Sequence, residues 1–261
     1  MDLELRNKVA VITGASRGLG ATSARLLAAN GARLVLAART TTDLDKVAQD
    51  CAASPGVITV PSDLTLPEAA DAVRDAALKA FGRIDILINS AGASQGGVFW
   101  EIPDTVWQDS LNLKFMSTVR MMRAVIPTMI AQKYGRIVNI IGSNGMQPSA
   151  RLLPGSAANA ALLAVTRGIT EDLAPHNVVA NSVNPGPTRT ERWTTLMNRL
   201  SQSSGRSVAD VESDFTRQIP RGQLAEPEEI ANWIVFMASD RAANMNGTGV
   251  MVDGGWFKGL G

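Results

Sequence analysis

Three glycines near the amino terminus form a loop that could hold the phosphates of a nucleotide. Gly14, Gly18 and Gly20 follow the apolar run 9–12, and a helical pattern begins at residue 21. In a strand–turn–helix unit the first glycine allows the tight turn, the second lets a pyrophosphate approach the backbone, and the third lets helix and strand pack closely. Free N–H groups at the start of the helix favour an anion there. The loop predicts a dinucleotide site, although a glycine turn of this kind can also be purely structural.

Apolar runs and helical patterns alternate along the rest of the chain and must position this loop. Apolar runs predict strands at 9–12, 33–38, 57–60, 84–89, 136–141, 178–183 and 249–252. Periodic patterns predict helices at 21–30, 44–52, 67–81, 103–133 (kinked at Pro127), 155–173 and 227–238. Residues 191–216 are polar and irregular, so we expect a substrate lid there. The alternation predicts an α/β fold: a single Rossmann-type domain with a doubly wound parallel sheet of seven strands and helices on both faces.

Composition and charge exclude several classes of function. The chain carries 25 basic and 24 acidic side chains, a balance that disfavours nucleic acid or an anionic membrane as partner. No apolar run reaches the roughly 18 residues of a membrane helix, and the acidic start of the chain does not resemble a signal peptide. The single cysteine, Cys51, excludes an internal disulfide, and with one histidine we expect no metal site. We expect a cytoplasmic protein that binds a small molecule.

Short polar motifs follow the predicted strands, at the edge where ligands of open α/β sheets bind. They are Asp63-Leu64 after the third strand, Asn89-Ser90-Ala91-Gly92 after the fourth, Gly142-Ser143 after the fifth, Asn184-Pro185-Gly186-Pro187-Thr188 after the sixth and Asp253-Gly254-Gly255 after the seventh. With the loop from Thr13 to Gly20, and with Asn112 in the long helix, these motifs resemble the short-chain dehydrogenase/reductase family in order and spacing over residues 8–255.

The resemblance implies two overlapping sets of site residues. The cofactor-binding set comprises Gly14, Ser16, Arg17, Gly18, Leu19, Gly20, Arg39, Asp63, Leu64, Asn89, Ala91, Gly92, Asn159, Pro185, Gly186 and Thr188. The catalytic set comprises Ser143, at the family's serine position, Asn112, matching the helix asparagine that holds a water near the active site, and Asn159. In the family, the acidic pair after the third strand holds the adenine, and the Pro-Gly segment lies along the nicotinamide.

The end of the second strand indicates which cofactor the site takes. Enzymes that use NAD place an Asp or Glu there, about 20 residues past the glycines, to accept hydrogen bonds from the ribose 2′-OH. Position 38 is alanine, Arg39 follows it, and Arg17 lies in the glycine loop. Two guanidinium groups could hold a 2′-phosphate through charge-assisted bonds, so we predict NADP(H). The alternative is that both arginines are solvated loop residues.

The chain departs from the family at the catalytic tyrosine and lysine. The family's Tyr-x-Ala-Ser-Lys-Ala-Ala-Leu aligns with residues 155–162, which puts Gly155 at the tyrosine position and Asn159 at the lysine position. A shift by one residue gives Ser156 and Ala160 and does not restore the pair. In the family the tyrosine donates a proton to the carbonyl oxygen, so the resemblance implies that this acid is missing.

No other side chain is expected to replace this acid. Tyr134, the only tyrosine, precedes the fifth strand, and it should lie roughly 20 Å from Ser143, at the opposite edge of the sheet. His176 precedes the sixth strand and should lie at that edge too. Lys114 is two residues from Asn112, about 200° around a regular helix, and is expected to point away from the site.

Three functional hypotheses follow. The first is an NADP(H)-dependent oxidoreductase with a non-standard active site. Its acceptor would be an imine (as the iminium ion) or a conjugated alkene, oriented by Ser143 and Asn112, because reducing either needs no phenol to protonate an alkoxide. The alternatives are a catalytically inactive NADP(H)-binding protein and a non-redox enzyme, such as a lyase or cyclase, that reuses the pocket.

The resemblance also implies an assembly. Members of the family usually associate through two long helices, here residues 103–133 and 155–173, so we expect a homodimer or homotetramer. The side chains facing the partner subunit would be Met116, Met121, Met122 and Leu162. The alternative is that these side chains belong to the core of their own chain.

Overall fold

One parallel sheet of seven strands organises the protein. The computed structural model describes residues 1–93 and 95–259. The strands are β1 (Val9–Thr13), β2 (Arg33–Ala38), β3 (Val57–Pro61), β4 (Ile86–Asn89), β5 (Gly135–Ile140), β6 (Val178–Pro185) and β7 (Gly249–Val252). Their order is β3-β2-β1-β4-β5-β6-β7. The chain therefore starts in the middle of the sheet and builds outward in both directions, and the order reverses between β1 and β4.

Ten α-helices connect these strands. They are α1 (Gly18–Ala29), α2 (Thr41–Asp50), α3 (Ala69–Phe81), α4 (Asp104–Ser110), α5 (Ser117–Gln132), α6 (Leu153–Gly168), α7 (Thr170–Leu173), α8 (Glu191–Ser204), α9 (Val208–Thr216) and α10 (Pro227–Met237). This count covers only residues 1–93 and 95–259.

Helices cover both faces of the sheet, as the continuous apolar strands require. On one face Leu27 of α1 and Ile234 of α10 pack in the same core. On the other face Val73 of α3 and Val125 of α5 pack in a second core. All five residues of β1 are buried, because both faces of this central strand are covered. The predicted doubly wound α/β fold is confirmed.

The pairing register brings the strand-end motifs to one edge. Thr13 pairs with Asn89, Asn89 with Asn139, and Asn139 with Ser182. Because the strands are parallel, the loops that follow β1, β4, β5 and β6 all emerge at this carboxyl edge. The register thus gathers motifs that are more than 100 residues apart in sequence.

Residues 191–216 are helical, so the expectation of an irregular segment is wrong. The Thr190 hydroxyl accepts a hydrogen bond from the backbone of the first turn of α8, and the Ser207 hydroxyl does the same for α9. Gly205, with φ of 68°, ends α8 between them. Buried side chains of both helices pack together in a small third core: Trp193, Met197 and Val211.

The long helical stretch is α-helical except for one π-helical turn. Residues 111–116 form a π-helical turn between α4 and α5, in which the N–H of Ser117 donates to the carbonyl of Asn112, five residues back. The hydroxyls of Ser117 and Thr118 donate to the carbonyls of Leu113 and Lys114. Hydroxyl bonds of this kind help to satisfy carbonyls where the regular ladder is interrupted.

The methionines assigned to a subunit interface are mostly internal. Met121, Met122 and Leu162 are at most 3% exposed within a single chain, and Met116 is partly buried. The prediction that the first three face a partner is therefore wrong, because these side chains are buried within their own chain. Over the described residues, no helix is both long and apolar enough to cross a membrane.

Candidate active site

The glycine loop and the start of α1 form a cradle that is open to a ligand. A Cβ on Gly14 would lie 2.8 Å from the N atom of Ala91, and one on Gly20 would lie 2.3 Å from the carbonyl oxygen of Gly14. Gly14 also has a φ of +62°, so neither position accepts a side chain. Among the described residues, a Cβ on Gly18 would meet only a Thr190 methyl, at 3.9 Å. This space at Gly18 fits the close approach of a pyrophosphate.

The first turn of α1 carries no side-chain cap from its N-cap residue among the described residues. Arg17 occupies the N-cap position with extended backbone, and within residues 1–93 and 95–259 its side chain makes no capping hydrogen bond. Ser16 and Leu19 beside it are partly buried, and no acidic residue lies in the first turn. Free N–H groups at a helix start attract anions, so this turn suits a phosphate.

The ends of β2 and β3 place an arginine near a carboxylate. Asp63 accepts hydrogen bonds from the backbone N–H of Thr65 (3.0 Å) and from its hydroxyl (2.8 Å). These two bonds, with a smaller contribution from the charge of Arg39, hold the pKa of Asp63 below its usual range. Arg39 is exposed after the last residue of β2, while Leu64 is buried in the core. Asp63 is therefore a fixed acceptor at the edge of the crevice.

The loop after β4 is tied to the glycine loop. The hydroxyl of Thr13 accepts hydrogen bonds from the N–H groups of Ser90 (3.1 Å) and Ala91 (3.2 Å). The amide of Asn89 donates to Asn139 (2.9 Å), and its Oδ1 is buried without a partner among the described residues. These bonds fix the floor of the crevice where the strand order reverses.

A cavity of about 260 Å³ lies beside this floor, at the carboxyl ends of β5 and β6. Ser143, which follows β5, and Gly155 and Asn159 of α6 line it. Ser143 is 5% and Asn159 3% exposed, and the Oδ1 of Asn159 has no hydrogen-bond partner in the part of the chain that the structure describes. An orphaned acceptor of this kind fits a ligand hydroxyl. The structure thus brings Ser143, Gly155 and Asn159 together as predicted.

The segment after β6 forms the far wall. Pro185 and Gly186 line the cavity, and a Cβ on Gly186 would lie 2.7 Å from the Cβ of Asp253. The hydroxyl of Thr188 donates to the carbonyl of Gly186 (2.9 Å), which holds the turn closed. Trp193 of α8 continues the wall and makes it partly apolar.

Asn112 does not reach this cavity. Its amide donates to the carbonyl of Thr65 (3.3 Å), and its Oδ1 accepts from Arg120 (2.8 Å). The side chain of Asn112 therefore faces the segment after β3 and not the cavity, and its assignment as a catalytic residue stays a prediction. The assignment followed residue type, although the phase of the helix decides which side chain faces the sheet.

Lys114 lies in the cavity instead, contrary to the expectation that it points away. It is partly buried, and its Nζ donates to the carbonyl of Ile141 (3.2 Å). Burial, together with the charge of Arg192, lowers the pKa of Lys114 to about 7. Lys114 and Asn112 lie on different sides of the helix, as their spacing requires. The side that faces the cavity carries Lys114, whereas Asn112 was expected there.

One sequence signal does identify Lys114. Buried residues of α5 that face the sheet form a stripe, Met129, Met121 and Val125 among them, and Thr118 extends it toward the amino terminus. Their intervals of three and four residues reach position 114 one step further on. A lysine at the end of a buried helix stripe is therefore the sequence signal that places Lys114 in the cavity.

The two other candidates for a replacement acid lie far from the cavity, as expected. The Tyr134 hydroxyl, just before β5, donates to Asp240 (2.9 Å), and burial raises the pKa of Tyr134 well above its usual value. His176 lies just before β6. Both residues are therefore at the amino edge of the sheet, across from Ser143.

Comparison with known proteins identifies the family. Residues 8–200 match the short chain dehydrogenase family. The chain belongs to this family of oxidoreductases. It is 33% identical to an uncharacterized oxidoreductase, YvrD, of Bacillus subtilis (strain 168), with 100% of both chains covered. It is also 33% identical to the monensin polyketide synthase putative ketoacyl reductase of Streptomyces virginiae, over 95% of this chain and 97% of the relative.

A solved structure agrees over the whole length. L-sorbose reductase from Gluconobacter frateurii, complexed with NADPH and L-sorbose, is 32% identical, with a TM-score of 0.95 and 100% of both chains covered. A nicotinamide dinucleotide also fits the residues present here. The uncapped start of α1 suits its phosphates, and the orphaned Oδ1 of Asn159 suits a ribose hydroxyl.

Proposed function

We propose that this protein is an NADP(H)-dependent reductase with a non-standard active site. One observation carries the proposal: Gly155 and Asn159, which the sequence resemblance aligns with the family's tyrosine and lysine, line the same cavity as Ser143. The cofactor would supply a hydride at this cavity. The chain would therefore have to bind the acceptor and stabilise its reduced form without a phenol.

The preference for NADP(H) follows from charge at the end of β2. Ala38 offers no carboxylate to accept the ribose 2′-OH or to repel a phosphate. Arg39 and Arg17 are both exposed at the crevice and could each engage a 2′-phosphate. The solved relative bound to NADPH supports this choice.

The charge of the cavity narrows the acceptor class. Lys114 and Arg192 line it, and none of the described lining residues is acidic. A cationic iminium acceptor would be repelled by these two groups, at a cost of about 1 kcal/mol for each charge 4 Å away even in water. A neutral alkene conjugated to a carbonyl group meets no such penalty. Of the two acceptors expected from the sequence, we propose the conjugated alkene.

Each residue of the site has a role in this proposal. Ser143 donates a hydrogen bond to the carbonyl oxygen of the acceptor, and Asn159 holds a ribose hydroxyl. Gly155 leaves open the space that a tyrosine ring would fill. Trp193 and Phe215 provide apolar walls, and their helices α8 and α9 would act as the lid. We further propose a cytoplasmic homodimer or homotetramer, whose contacts must use side chains other than those already buried in the chain.

An NADPH-oxidation screen over ketones, imines and conjugated enones tests the proposal. We expect turnover with enones and loss of that turnover in Ser143→Ala. A matched control is Ser149→Ala, because Ser149 also lines the cavity and is not assigned to bind the acceptor oxygen. NADPH binding without turnover on any acceptor class would contradict the reductase function and favour the inactive binding protein.

A further inference from the structure

Lys114 brings a positive charge into the cavity beside Ser143 and Asn159. Its side chain passes close to Gly92, where an added Cβ would lie 3.2 Å from the Cγ and 3.6 Å from the Nζ of Lys114. The second basic group, Arg192, donates to the carbonyl of Gly92 (3.4 Å). Because no described lining residue is acidic, neither charge is neutralised within the cavity wall.

The ammonium group of Lys114 has donors to spare. A protonated lysine carries three N–H bonds. Within residues 1–93 and 95–259, its only hydrogen-bond acceptor is the carbonyl of Ile141. Two N–H bonds are therefore left for a ligand. Donors fixed in advance around a developing negative charge stabilise it more than water does.

Resting on the reductase function proposed above, we propose that Lys114 is the catalytic acid that protonates the carbonyl oxygen of the acceptor as it is reduced. With a conjugated enone, the hydride adds to the β carbon. The alkene electron pair shifts to form the enolate double bond, and the C=O π pair moves to oxygen. An Nζ–H bond of Lys114 breaks as the O–H bond of the enol forms. The enol tautomerises in water, and the neutral amine regains a proton from solvent.

The acidity of Lys114 suits this step. Burial is the main reason that its pKa falls to about 7, and the nearby charge of Arg192 lowers it further. General acids act most efficiently when their pKa lies near the working pH. A serine hydroxyl is far less acidic, and an arginine does not release its proton in proteins. Ser143 and Arg192 can therefore orient the acceptor, but they cannot replace Lys114 as the acid.

The same step would extend the acceptor range to simple ketones. Hydride addition to a ketone carbon places the charge on the same oxygen, and Lys114 would protonate the alkoxide in the same way. The absence of the tyrosine would then not prevent carbonyl reduction, because Lys114 would supply the proton.

Kinetics of Lys114→Met and Lys114→Arg test the proposal. We expect the wild-type kcat for enones to fall as pH rises through about 7, because the acid must be protonated. Lys114→Met should lower kcat at pH 7 by about 100-fold or more and remove this pH dependence, with the Kd for NADPH unchanged within threefold. Lys114→Arg keeps the positive charge, but an arginine does not release its proton. Its kcat should therefore be nearly as low as that of Lys114→Met. Lys79→Met, on the exposed face of α3, is the matched control.

A second measurement does not depend on turnover. Competitive labelling of amines with acetic anhydride, read by mass spectrometry across pH, gives the pKa of each lysine in the folded wild-type protein. We expect Lys114 to titrate near 7. This result would support the proposal even if Lys114→Met failed to fold.

Several outcomes would overturn the proposal while leaving the reductase function intact. These are equal kcat values for wild type and Lys114→Met, wild-type activity in Lys114→Arg, and an ordinary pKa for Lys114 by labelling. Borohydride trapping of a covalent adduct between a ketone and Lys114 would also overturn it, since the lysine would then be a nucleophile. By contrast, NADPH binding with no turnover in the wild type would refute the reductase function itself.

Discussion

Cofactor selectivity can be predicted quantitatively from the end of β2. Arg39 is exposed, and two unit charges 4 Å apart in water interact by about 1 kcal/mol. A 2′-phosphate carries between one and two charges at pH 7. Screening in 0.15 M salt, where the Debye length is about 8 Å, reduces the attraction to about 1 kcal/mol per arginine. With Arg17 the total is about 2 kcal/mol, so NADPH should bind at least tenfold more tightly than NADH.

Titration calorimetry with both cofactors tests this number. Arg39→Ala should remove about 1 kcal/mol of the preference, about half of it, because Arg17 remains to engage the phosphate. Arg33→Ala is the matched control, since Arg33 begins the same strand at the opposite edge of the sheet. Raising the salt from 50 to 500 mM should weaken the wild-type preference, because both arginines are exposed. Equal affinities for NADPH and NADH in the wild type would refute the reasoning.

Three further predictions concern side chains outside the cavity. Asp85→Ala should lower the free energy of urea unfolding by about 3 kcal/mol, because this fully buried carboxylate accepts the N–H of β1. Asp75→Ala, at an exposed ion pair, should change it by less than about 1 kcal/mol. Tyr134→Phe should cost about 1 kcal/mol of stability through its lost hydrogen bond and leave turnover unchanged. Burial raises the pKa of the Cys51 thiol to about 11, so a disulfide reagent at pH 8 should modify it only after unfolding.

The sheet and its edge motifs were predictable because each depends on local signals. Apolar runs of four to six residues indicate buried strands, and the residues that follow parallel strands must meet at one edge. Ser143 and Asn159 therefore reach one cavity, although they belong to different elements. The caps of α8 and α9, Thr190 and Ser207, were also present in the sequence, but a polar composition concealed the two helices.

The placement of the helix residues was not predictable from residue types. Asn112 matched a family motif by type. Lys114 is the residue that lies in the cavity, because the buried stripe of α5, continued into the π-helical turn, reaches position 114. Periodicity also cannot distinguish a side chain that faces its own sheet from one that faces a second subunit. Met121 illustrates this limit, since either surface would have required the same apolar pattern.

The number of residues in the π-helical turn before α5 determines which side chain faces the cavity. Each residue added to or removed from a helix rotates everything on one side of that point by about 100° relative to the other. Removing one residue C-terminal to Lys114, within 115–116, would turn this lysine off the stripe while leaving every remaining side chain chemically intact. Insertion of one residue there would displace it in the opposite sense. Which side chain faces the cavity therefore depends on the number of residues in this turn as well as on their types. An insertion or deletion of one residue can change that side chain without any substitution.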